Sequence, residues 1–226
     1  MRYSKLFLMT SLLVAGSAHA ANPTINVSGK ITPPACSASI VGGGENLVWD
    51  PISHNNLSNT TFTPLTAKAA TLSVTCEDGL KTHIAFWATD ANAASAIPGV
   101  KVPDTTLDNG NAADRIFGIG LDPVTNNKIG NFTLVGKTSS YDGTENSAKF
   151  GYGGRGVESF AITNFGWGYR FAEDWTVLDT TTNQAAVANT FTFTFDVVPQ
   201  INRKSQITNA QEVAFAGSAQ FYVRYF

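Results

Sequence analysis

Phe191-Thr-Phe-Thr-Phe-Asp-Val197 sets an apolar side chain at every second position, and that period suits a strand with one face buried and the other wet. The same signal recurs toward the C-terminus, where Phe221, Val223 and Tyr225 form one row and Tyr222, Arg224 and Phe226 the other. Pro199 is expected to end the first of these strands, and Val213–Phe226 to run as a second. Ala70–Cys76 alternates with Leu72, Val74 and Cys76 on one face, and Thr82–Ala88 turns Ile84 and Phe86 inward. Arg115–Leu121 and Lys128–Lys137 read as a hairpin about Asp122–Asn127, whereas residues 53–66 and 91–114 are loop-like. Ser37–Val41 alternates, breaks at Gly42-Gly43-Gly44 and resumes at Leu47–Trp49. Only 14% of residues are charged, a profile of strands and turns rather than amphipathic helices. The fold class is therefore all-β.

Residues 1–20 carry Arg2 and Lys5, an apolar run from Leu6 to Ala15, and Ala18-His19-Ala20, the pattern of a signal peptide with cleavage before Ala21. The run is too short to span a bilayer, and no later segment is long enough, so no membrane span is expected. Loss of Arg2 and Lys5 would leave the net charge, −2 for the whole chain, more negative still. Such a balance offers no basic field for nucleic acid. An exported chain meets an oxidising compartment, so the two cysteines, Cys36 and Cys76, are expected to pair. Two free thiols or a metal site are the competing reading. The two histidines that follow the leader, His54 and His83, lie at no ligand spacing from a cysteine.

Between leader and first cysteine lies Thr24-Ile-Asn-Val-Ser-Gly-Lys-Ile-Thr-Pro-Pro-Ala-Cys36. Ile25, Val27, Gly29 and Ile31 share one face, and Asn26, Ser28 and Lys30 the other. No turn signal folds this strand back as a hairpin. Pro33-Pro34 removes two backbone donors and stiffens its exit, so it is shaped to project from the body of the domain.

Motifs of chemistry are weak. Asp108-Asn-Gly-Asn111 lacks the distal glutamate of a calcium loop, and Gly151-Tyr-Gly-Gly-Arg-Gly156 lacks both the Lys-Ser/Thr ending and the following helix of a phosphate loop, so both read as turns. No metal site and no cofactor are expected. Trp167, Tyr169 and Trp175 lie near Glu173 and Asp174, an arrangement that can grip a sugar or simply pack a core. A hydrolase would need a nucleophile–base or acid pair, and no such motif is visible.

The alternating arm with Gly29 in its apolar row, Cys36 behind it, Cys76 forty residues on, and a terminal strand with penultimate Tyr225 resemble the pilins of the chaperone–usher class. The likeness is nearest to the fimbria-like periplasmic subunits with a similar Gly-x-Ile-Thr-Pro-Pro-Ala-Cys run. It covers roughly the first sixty and last forty residues. The resemblance implies an incomplete immunoglobulin-like sandwich, residues 34–226, completed by a donated strand. Residues 21–33 would be the donor arm, with Ile25, Val27, Gly29 and Ile31 as its inserted row. Phe221, Val223 and Tyr225 would line the groove or the core beneath it, and the Phe226 carboxylate would anchor a periplasmic chaperone. Other implied partners are an outer-membrane usher and neighbouring subunits, and the implied place is the cell surface, reached through the periplasm. Gly217 lies nearer the terminus than the glycine usual in such strands, and residues 90–170 are longer than in common rod subunits. The function expected is that of a structural, non-enzymatic fimbrial subunit. The alternative is a minor or tip adhesin binding carbohydrate through Trp167, Tyr169 and Trp175.

Overall fold

A computed structural model describes residues 28–29, 35–77, 79–98, 115–146, 149–164 and 172–226. The chain divides into two compact units, Met1–Pro33 and Pro34–Phe226. In the first, only Ser28 and Gly29 are described, and neither belongs to a strand. The leader and the arm positions Ile25, Val27 and Ile31 lie outside the described residues.

The second unit is an all-β sandwich of two antiparallel sheets. Its first sheet runs β1 (Cys36–Val41), β3 (Lys68–Cys76), β11 (Thr190–Ile201), β6 (Gly130–Tyr141), β5 (Phe117–Gly118). Off this path, β2 (Thr63–Pro64) pairs with β11 and β7 (Thr144–Asn146) with β6. The second sheet runs β12 (Ala219–Tyr225), β4 (Ile84–Asp90), β10 (Glu173–Thr176), β8 (Lys149–Gly154), β9 (Ala161–Asn164).

The Phe-Thr alternation does what its period demands. Phe191, Phe193 and Phe195 are buried, while Thr194 and Thr192 reach the hydroxyls of Thr71 and Ser140 on the neighbouring strands. Phe193 packs against Phe86 and Phe150 of the opposite sheet, so this strand joins the two layers of the core. Leu72, Val74, Ile84 and Phe86 are buried as their patterns require. The hairpin about Asp122–Asn127 forms, with Phe117 opposite Phe132 and Leu121 bridged to Lys128. Cys36 and Cys76 sit directly opposite each other in the β1–β3 ladder and are joined by a disulfide.

Several boundaries depart from expectation. Pro199 does not end β11, which continues to Ile201: the Leu65 amide donates to the Pro199 carbonyl, and β2 picks up the strand at Gln200 and Ile201. Gly151–Gly154 is strand, not turn, and only Arg155–Gly156 reverses the chain. A β-carbon at Gly151 would stand 2.7 Å from Thr176 Cγ2, so glycine there answers close packing of β8 on its surroundings. Leu47–Trp49 does not resume a strand, and the terminal strand begins at Ala219 instead of Val213.

Candidate functional site

The edges of the two sheets frame the site. β1 ends one sheet and β12 the other, and their free sides have no ladder partner among the described residues. Most inward side chains on interior strands are buried, whereas those on the edges are only half-covered: Ile40 on β1, and Ala219, Phe221 and Val223 on β12. Between them the sandwich is open. A cavity of about 290 Å³ has Ala70, Leu134 and Phe195 in its floor and Ile40, Leu47 and Phe221 in its walls. A second, of about 570 Å³, shares Leu47, Trp49 and Phe215 with the first and extends it toward Ile52, Ile207 and Val213. The two form one apolar groove.

Its rims are the segments whose strand character was overestimated from sequence. Leu47 and Trp49 are half-buried with Val48 exposed between them, and Val213 and Phe215 are half-buried with Ala214 exposed between them. Both segments keep the period of a strand, yet no ladder joins either to a neighbour among the described residues. Contacts that leave the groove side open hold them instead. Trp49 Nε1 donates to the Thr66 carbonyl at 2.7 Å, and the Lys68 ammonium lies over the Trp49 ring and donates to the Val48 carbonyl. The Ala216 amide donates to the Ile119 carbonyl at 3.1 Å, and a β-carbon at Gly217 would stand 2.7 Å from the Gly118 carbonyl oxygen. Glycine at 217 thus answers close packing on β5, and the ladder with β4 begins at Ala219 because β4 itself ends opposite it at Asp90.

Farther along, His54 Nε2 donates to the Ile207 carbonyl at 3.0 Å. Buried Asp122 accepts the amides of Val124 and Thr125 in its own turn and that of Thr208 at 2.6 Å, fastening the hairpin to the rim. Burial alone would raise the pKa of Asp122, but these amide donors outweigh it and hold the carboxyl below the usual range.

β12 is firmly seated on its other side. It pairs with β4 from Ala219 opposite Asp90 to Tyr225 opposite Ile84. Arg224 Nε donates to Asp174 Oδ2 at 2.7 Å, and the Gly156 amide reaches the same oxygen at 2.9 Å. Arg224 also donates to the Val157 carbonyl. The Phe226 ring stacks on His83 and Phe160, with the Arg224 guanidinium over it. Phe221 lines the groove and stacks on Phe195, and Val223 packs against the core. Tyr225 lines neither cavity and is exposed, since it ends its strand.

The aromatic group considered for sugar binding does not survive as drawn. Trp175 is 2% exposed and stacked on Phe150 at 4.2 Å, so neither face of its ring is open to a sugar. Trp167 and Tyr169 lie outside the described residues. His83 Nδ1 pairs with the Ala185 carbonyl, and like His54 it is engaged with backbone. Among the described residues no three His, Cys, Asp or Glu side chains cluster as metal ligands, and no helix is long and apolar enough to cross a membrane. The Arg224–Asp174 pair was missed from sequence because its partners are fifty positions apart and only the β12-β4-β10 order brings them together.

Residues 25–133 match a family model described as "Protein of unknown function (DUF1120)". The match takes in most of the arm, β1 and β3 with the floor residue Ala70, and ends inside β6 just before Leu134. Neither the curated proteins nor the solved structures compared with the chain contain a match.

Proposed function

We propose that the chain is a structural subunit of a surface fimbria, polymerised by donor-strand exchange, and not an enzyme. What carries this reading is the open groove between β1 and β12, whose floor is core of the sandwich and whose rims keep strand periodicity without strand partners among the described residues. An open apolar groove of this kind, with half-covered walls, is an adhesive liability for a lone domain and a binding site for an extended peptide. A strand laid there gains backbone hydrogen bonds along β12 and sets alternate side chains into the groove, the physics of β-augmentation. Thr24–Ile31 has the matching pattern, with Ile25, Val27, Gly29 and Ile31 as the inserted row. Export through the periplasm, a chaperone that fills the groove before assembly, an usher and neighbouring subunits belong to the same proposal.

The test is deletion of residues 22–32 in a strain that makes the chain with its chaperone. The shortened subunit should be exported and chaperone-bound, and should terminate fibres or stay out of them. Normal polymerisation without the arm would refute the reading.

A further inference from the structure

An added strand has two faces, and the groove reads only one. The other would lie on the outer surface of the second sheet, where a ladder of rings crosses the strands. Tyr222 on β12 stands directly opposite Trp87 on β4, their rings 5.3 Å apart and 9° from parallel. The Arg155 guanidinium lies over the Trp87 ring at 5.0 Å. Because Arg155 also pairs with Asp174 on β10, beyond β4, it approaches Trp87 from the side away from Tyr222. Tyr222 is thus the last rung, at the sheet edge, 38% exposed, with its second face turned off the edge.

A strand added to β12 lies about 4.8 Å away, and directly opposed side chains stand about 5 Å apart. That spacing brings a solvent-facing side chain of the newcomer onto the open face of Tyr222. We propose that this face is a specificity site for the incoming strand and takes a cation, which a second copy of this chain supplies as Lys30. The inference rests on the donor-strand reading. Of the arm's outward residues Asn26, Ser28 and Lys30, only lysine presents a positive charge to the negative face of a phenol ring. The same ladder already holds one cation on Trp87. Arg224, two residues from Tyr222, is drawn across β4 to Asp174 on β10 at 2.7 Å, away from the edge where an incoming ammonium would lie. Lys30 plays no part in filling the groove, and its role comes from the outer face alone.

The experiment is competition against a labelled peptide spanning residues 21–33, bound to the full chain, by unlabelled peptides carrying single changes. Lys30→Ala should weaken binding about two- to fivefold, the range for an exposed cation on a ring. Lys30→Arg should retain binding and Ser28→Ala should not matter. On a Tyr222→Leu chain the Lys30→Ala peptide should bind as well as the wild-type peptide, whereas a Tyr222→Phe chain should preserve the difference. Equal binding of wild-type and Lys30→Ala peptides to the wild-type chain overturns the inference and leaves donor-strand exchange standing. An unchanged Lys30→Ala penalty on Tyr222→Leu overturns it in the same way. Failure of the wild-type peptide to bind at all removes both.

Discussion

Replacing Arg224 by methionine keeps most of the side chain's length and removes its charge, which leaves Asp174 without the guanidinium that faces it. Asp174 is 0% exposed and accepts from Arg224 at 2.7 Å, so the pair is close to the buried limit. Removing one partner of a buried pair costs about 3–5 kcal/mol, because the charge left behind is neither solvated nor compensated. Two features place the cost at the lower end. The Gly156 amide remains on Asp174 Oδ2, and Arg155 Nε is 3.9 Å from Oδ1. A loss of about 3 kcal/mol in a domain of this size lowers Tm by about 6–12 °C. Thermal and urea unfolding with the disulfide intact measure the global effect, and amide exchange along β12 should rise first, since the pair seats the groove wall. Combining Arg224→Met with Asp174→Asn should recover much of the loss by removing the orphaned charge. A single variant that loses under about 1 kcal/mol, or a double variant no better than the single, would refute the view that this pair holds the terminal strand.

Removing the Cys36–Cys76 bridge, which spans 40 residues, should cost roughly 4 kcal/mol in the chain-entropy model, read as a lower denaturation midpoint of the Cys36→Ser/Cys76→Ser protein. Acid should destabilise the domain through the carboxylates that the fold holds low, Asp142 and Asp179 as well as Asp122. The Lys81 ammonium and the Thr190 and Asn189 amides lower Asp142 from 3.8 to about 2, and the Thr182 amide, the Tyr141 hydroxyl and the Thr181 amide do the same for Asp179. Folded values below the unfolded ones mean that this stabilisation is complete above about pH 4 and is lost as pH falls toward 2. A stability-against-pH curve should fall across that window, and Asp142→Asn should flatten part of the fall.

Strand periodicity was legible wherever one face is buried and the other wet: Phe191–Val197, Ala70–Cys76 and the inward row Phe221 and Val223 all sit as their patterns require. Period alone does not reveal whether a strand finds a partner. Leu47–Trp49 and Val213–Phe215 alternate as β11 does, yet they border a groove and form no ladder among the described residues, because pairing depends on neighbours that local sequence does not name. For Trp175 the sequence left a sugar platform and core packing both open, and the fold decides for packing: the pleat turns Trp175 into the core and Asp174 to the other face. The disulfide was legible from two cysteines standing behind an expected leader, and Cys36 and Cys76 are joined. The Arg155–Trp87–Tyr222 ladder was not, for it joins a turn and two strands that only the fold makes adjacent.

Whether the groove accepts a strand is tested most directly by adding a peptide of residues 21–33 to a domain beginning at Pro34 and following amide exchange and Tm. Binding should protect β12 and the rims Leu47–Pro51 and Val213–Phe215, raise Tm, and fail for a Val27→Asp peptide, whose carboxylate would enter an apolar groove at a cost of several kcal/mol. Unchanged exchange at β12 with the wild-type peptide, or equal protection by the Val27→Asp peptide, would contradict the account.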